Sequence, residues 1–83
     1  MDVTVRIKRI LHDSLQLGER ADRMSPESAL LGGMPEFDSM AVVTVMTMIE
    51  DEFGITIDDD EVSAEVFATL GTLAQFVSGK LRA

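Results

Sequence analysis

The chain of 83 residues has no cysteine, no tryptophan and no tyrosine, and a single histidine. Without cysteine, no disulfide framework, thiolate metal site or thiol nucleophile can form. Positive charge is also scarce: seven Lys and Arg stand against fifteen Asp and Glu, for a formal net charge of −8. A chain this acidic is repelled by phosphate backbones and anionic lipid, which argues against nucleic-acid or membrane-surface binding and for partners that present basic patches. No apolar run approaches the roughly 20 residues that span a bilayer. The opening MDVTVRIKRIL lacks the uninterrupted apolar core and small-residue cleavage site of a signal peptide. These absences lead to the expectation of a soluble, cytoplasmic, monomeric protein.

What the chain does have is aliphatic. Hydrophobic residues make up 46% of it, with only four Phe and with six Met to fill gaps. A domain of this size buries about 60–65% of its unfolded surface, enough for one modest core. We therefore expect residues 1–83 to form a single domain. It has little room for an enclosed substrate pocket, so an enzyme is not expected.

No repeat, low-complexity segment or linker interrupts the chain. A first helix is expected over residues 3–17, because Val3, Ile7, Ile10, Leu11, Ser14 and Leu17 fall on one face, with Gly18 as its terminator. A long connection over residues 19–38 follows. It contains the turn signal Ser25-Pro26-Glu27, then Leu30-Leu31 and Gly32-Gly33; a loop of such length in a small domain tends to be functional. The stretch from Ser39 to Phe53 is rich in β-branched residues, so a strand competes there. Its length and its lack of period-two alternation favour a helix ending at Gly54. Val42, Val45, Met46, Ile49 and Phe53 would form its inner stripe. Asp58-x-x-Glu61 has the form of a capping box opening a short third helix over residues 61–67. Thr69 can cap a last helix that contains Leu70, Leu73, Phe76, Val77 and Leu81. The expected fold is all-α, a small four-helix bundle with one long and two short connections.

Catalytic readings find little support. His12 projects from the polar side of the first helix, and no Ser-His-Asp set can be built around it. Asp58-Asp59-Asp60-Glu61 lacks the alternating ligand pattern of a calcium loop, so helix capping and a solvated acidic surface explain it better, and no metal is expected. Gly32-Gly33 is not followed by the Lys-Ser/Thr of a phosphate loop. Met46 reads as core, whereas Met40 and Met48 suit an adaptable docking surface. Asp38-Ser39 alone is ordinary helix-start chemistry. Its setting is more informative: a long loop, a Pro-Glu-Phe lead-in, an uncharged helix, and a Glu50-Asp51-Glu52-Phe53 ending.

In the segment PEFDSMAVVTVMTMIEDEFGITIDDDEV the chain resembles the acyl carrier protein family, and the resemblance extends over nearly all 83 residues. The matching features are the Asp-Ser-apolar attachment motif, the recognition helix with its acidic ending, the Ile-x-Ile followed by acids, Leu30-Leu31 before glycine, and Thr69-Leu70. The resemblance implies that a phosphopantetheinyl transferase attaches 4′-phosphopantetheine covalently to Ser39, flanked by Asp38 and Met40. An acyl group would then ride as a thioester on the arm's thiol, supplying thiol chemistry to a chain without cysteine. It further implies a docking surface of Met40, Val43, Thr44, Thr47, Glu50 and Asp51. The partners implied are acyl ligases, acyltransferases or synthases of fatty-acid, polyketide or specialised acyl metabolism, with basic or apolar docking patches.

Family members often carry acids early in the recognition helix, where Ala41 and Thr44 stand here. That departure points away from the general fatty-acid carrier and towards a dedicated carrier with more apolar partner contacts. PEFDSM is similar to small stand-alone carriers found with bacterial exosortase and exopolysaccharide systems. Two rivals stay open: a peptidyl or aminoacyl carrier, and an unmodified module that docks a partner helix on Met40, Val43 and Met48.

Overall fold

The computed structural model describes residues 3–33 and 37–82. Four α-helices are formed: α1 (Val3–Leu15), α2 (Glu19–Asp22), α3 (Ser39–Phe53) and α4 (Leu70–Arg82), with a 3₁₀ turn at Asp59–Glu61 between the last two. No strand occurs among the described residues; the one β-type contact is an isolated bridge between Ala29 and Thr69. The all-helical class expected from the sequence is the one observed.

Helix α1 is the hub, packing against α2, α3 and α4. Its inner face presents Ile7, Ile10 and Leu11, which meet Val45 and Ile49 of α3 and Leu70, Leu73 and Val77 of α4 in one core. Most of these side chains are fully buried, as are Leu30 and Phe67 from the connections. Truncating any one of them to alanine would cost about 2–5 kcal/mol.

The first helix ends two residues sooner than its apolar spacing implies. Gln16 adopts φ 54° and Gly18 φ 60°, so the chain reverses around Leu17 and drives that side chain into the core. Ile7, Ile10, Leu11 and Leu17 of the apolar stripe are buried and Val3 and Ser14 half-buried, but Leu17 arrives from a turn. The connection expected over residues 19–38 opens with α2, a single turn that buries Ala21. One turn is too short for apolar periodicity to reveal.

The third helix expected over residues 61–67 is looser than a regular α-helix. It is the 3₁₀ turn at Asp59–Glu61 followed by one turn closed by Phe67 N–H donating to the Ser63 carbonyl at 3.4 Å. Seven residues with β-branched Val62 and Val66 are too few to propagate a helix. The Ser63 hydroxyl also takes the Val66 N–H at 3.3 Å, offering the backbone a local alternative. Half of the expected capping box is present, since Asp58 N–H donates to Glu61 Oε1 at 3.0 Å. The other half is replaced by Glu61 N–H donating to the Asp58 carbonyl at 2.9 Å.

The long connection is laced to the start of α4. Leu30 and Leu31 N–H donate to the carbonyls of Ala68 and Phe67, while Leu70 and Gly71 N–H donate to those of Ser28 and Pro26. The approach at Gly71 is so close that an added Cβ would lie 2.9 Å from the Pro26 carbonyl oxygen. Glycine is required there by packing.

Candidate functional site

Helix α3 has the boundaries its flanking residues dictate. Asp38 is extended (φ −102°, ψ −170°), and its carboxylate accepts the Ala41 N–H at 2.9 Å while its carbonyl accepts the Val42 N–H at 3.0 Å. At the other end Gly54 takes a left-handed φ of 66° and donates its N–H to the Glu50 carbonyl at 2.9 Å. Just upstream, Phe37 is buried with its ring centroid 5.9 Å from that of Phe67, which ties the lead-in to the core. Of that lead-in, Pro35 and Glu36 lie outside the described residues.

At this end stand Ser39, exposed, and Met40, 73% exposed. Of the three N–H groups that a helix start leaves without an intrahelical acceptor here, Asp38 satisfies only that of Ala41. The N–H groups of Ser39 and Met40 and the Ser39 hydroxyl make no hydrogen bond among the described residues. A protruding hydroxyl beside two open donors, at the positive end of a 15-residue helix, is a setting that accepts an anionic group.

The anticipated docking residues are not equivalent. Met40, Val43, Thr44, Thr47 and Asp51 are exposed on α3, with the Thr47 hydroxyl donating to the Val43 carbonyl at 3.0 Å. Glu50 is half-buried, and its carboxylate accepts the Ile57 N–H at 2.8 Å. It therefore fastens the chain after α3 and is not a free surface acid. Glu52 is held by Arg6, whose guanidinium reaches its carboxylate at 2.7 Å and lies 4.3 Å from the centre of the Phe53 ring. Phe53, Val42 and Met46 of the expected inner stripe are half-buried, not deep core, and Met48, expected on the docking surface, is half-buried as well. Ala41 is the converse case. It is buried, so the absence of an acid at that position has a packing reason. The sequence marks Ala41 as a departure from the family pattern but shows neither its burial nor the pairing of Arg6 with Glu52.

The other polar candidates sit in ordinary surroundings. His12 is exposed, with Nδ1 3.1 Å from the Asp13 carboxylate. Glu61 pairs with Lys80 at 2.8 Å; that bond first, and the Asp58 N–H second, hold its carboxyl below the ordinary glutamate value of 4.5. No three His, Asp or Glu side chains converge as a metal site among the described residues.

The described residues thus form a small helical scaffold with Ser39 exposed at the capped start of α3. The family model described as a phosphopantetheine attachment site matches residues 5–77. The chain is 31% identical over 80 residues to the acyl carrier protein of Nitratidesulfovibrio vulgaris and likewise to that of Desulforapulum autotrophicum, covering 96% of this chain and 99% of each relative. A holo acyl carrier protein from Nitrosomonas europaea, solved in solution by NMR, superposes with a TM-score of 0.92 at 49% identity over the whole of both chains. The chain belongs to the acyl carrier protein family. It is a carrier of covalently attached 4′-phosphopantetheine and not an enzyme. No helix of the described residues is long and apolar enough to cross a membrane.

Proposed function

We propose that Ser39 is the residue that holds the arm, and that residues 1–83 act as a single, cytoplasmic, monomeric carrier domain. The observation that carries this reading is the exposed Ser39 hydroxyl beside two unfilled N–H donors at the start of α3. A phosphodiester on Ser39 Oγ brings its negative charge to those donors, where the helix field favours it by about 0.3–1 kcal/mol. Asp38 caps the turn from the side and leaves its N-terminal face open. When bound, the arm supplies the thiol on which an acyl group is carried as a thioester.

A phosphopantetheinyl transferase would load Ser39, with Asp38 and Met40 flanking the hydroxyl it must reach. Acyl ligases, acyltransferases or synthases would then act on the cargo. The test is intact-protein mass before and after incubation with coenzyme A and a broad-specificity transferase. A single-arm gain that Ser39→Ala abolishes is expected; a gain that survives Ser39→Ala overturns the assignment. No gain on a folded wild-type protein would favour an unmodified docking module, and loading by an amino-acid ligase in place of an acyl ligase would make the cargo aminoacyl.

A further inference from the structure

We propose that Phe37 is a positioning residue for the attachment reaction, and that its ring contact with Phe67 couples Ser39 to the segment 59–68. This rests on the Ser39 reading above and says what holds that hydroxyl in place. Attachment forms a bond from Ser39 Oγ to phosphorus as the pyrophosphate link of coenzyme A breaks; the hydroxyl proton is lost and the adenosine bisphosphate leaves. Misplacing a reacting group by about 1 Å can slow such a step about a hundredfold. The first turn of α3 is held lightly on its upstream side. Asp38 supplies both bonds there, its carboxylate accepting the Ala41 N–H and its carbonyl the Val42 N–H. The N–H groups of Ser39 and Met40 make none among the described residues. Asp38 is itself extended and exposed, so one residue carries the chain from Ser39 back to Phe37, which is 3% exposed.

The Phe37 ring lies 5.9 Å from that of Phe67 and is tilted to it by 43°, a separation at which aromatic rings attract. Phe67 is buried, but the segment that carries it is loosely bonded. Val66 N–H reaches the Ser63 hydroxyl at 3.3 Å, Phe67 N–H the Ser63 carbonyl at 3.4 Å and Ala68 N–H the Glu65 carbonyl at 3.3 Å, all near the far end of the hydrogen-bond range. Residues 63–65 are exposed. The outer fastening of the segment is the ion pair of Glu61 with Lys80, and the inner ones are the Leu31 and Leu30 N–H bonds to the carbonyls of Phe67 and Ala68. A loose segment thus reaches the attachment serine through two buried rings and one extended residue. When Phe67 shifts, Phe37 loses its ring partner, Asp38 its upstream anchor and the first turn of α3 its cap. Val45 and Ile49 hold the body of α3 in the core regardless, so the effect stays at the helix start.

The test measures transfer of the arm from coenzyme A by a broad-specificity phosphopantetheinyl transferase, as kcat and KM, at a temperature where circular dichroism shows each variant fully folded. Phe37→Leu and Phe67→Leu keep a buried apolar side chain and remove the ring contact, so both are expected to fold. Each should lower kcat by about fivefold or more with KM within about twofold, and each should hasten exchange of the Ala41 amide. The double variant should be no more than about twofold worse than the poorer single, since the two rings act as one unit. Ile7→Val trims the core on α1; it should lower the melting temperature yet leave kcat within about twofold of wild type. The wild type supplies a check that needs no variant, and it decides the matter should a variant not fold. Its Ala41 and Phe67 amides should open together, ahead of the Leu73 amide in the core of α4. Phe67→Leu within about twofold of wild type, single effects that multiply in the double, an equal loss in Ile7→Val, or independent opening of the two amides would overturn the coupling and leave the attachment site standing. A mass gain that is absent, or that survives Ser39→Ala, would instead remove the reading on which it rests.

Discussion

The starts of α3 and α4 are built from the same chemistry and finished in opposite ways. Each has an oxygen-bearing cap, Asp38 or Thr69, that accepts an N–H from the first turn. In α4 the first-turn donors are all used: Leu70 by the Ser28 carbonyl, Gly71 by the Pro26 carbonyl and Thr72 by the Thr69 hydroxyl. The Thr72 hydroxyl adds bonds to the carbonyls of Val66 and Thr69. In α3 the cap takes one donor and leaves two exposed. A satisfied helix start holds a loop in place, and an unsatisfied one on the surface is available to a ligand. The contrast separates a helix start that is committed to holding a loop from one whose first donors are open.

Paired substitutions should break that contrast most visibly. Ser39→Ala is expected to abolish attachment of the arm while changing unfolding free energy by less than about 0.5 kcal/mol, as exposed surface changes usually do. Thr69→Ala should leave attachment intact and cost about 1–2 kcal/mol in chemical denaturation, because it removes a cap. Gly71→Ala sharpens the same point through packing. Its new methyl meets the Pro26 carbonyl at 2.9 Å, so a loss of about 1–3 kcal/mol is expected, with fast amide exchange at Leu30 and Leu31 where the loop lifts. Asp38→Ala should cost about 1 kcal/mol and open the third donor of α3.

The smallest expected effect concerns Glu61. Its carboxyl titrates lower in the folded chain than in the unfolded one, because the charged form is bonded to Lys80 and the Asp58 N–H. The stabilisation is therefore complete above the ordinary glutamate value of 4.5 and is lost as pH falls through the lower folded value. Glu61→Gln should melt slightly below wild type at neutral pH, and the gap should close in acid. A gap that stays constant with pH would show that the ion pair is not its source.

How far the sequence could be read varies with how local each determinant is. The bounds of α3 were legible because Asp38 and Gly54 bracket it with side-chain and backbone signals a residue away. The cap at Thr69 was legible for the same reason. The inner face of α3 was only partly so: apolar residues occupy most of its circumference, and periodicity cannot tell buried Ala41 from half-buried Val42. The commitment of Glu52 depends on Arg6, 46 residues earlier, and that of Glu50 on a backbone N–H seven residues later. Neither partner is visible until the chain is folded. The early end of α1 goes with the left-handed backbone at Gln16, which glutamine gives no reason to expect, and α2 is a single turn, too short for periodicity to show.

One measurement addresses the central contrast directly: residue-resolved amide exchange and chemical shifts of the protein before and after the arm is attached. The N–H groups of Ser39 and Met40 should exchange fast in the unmodified chain and shift on attachment, while those of Leu70, Gly71 and Thr72 stay protected and unmoved. Perturbation centred away from the start of α3, or equal exchange at both helix starts, would contradict the account.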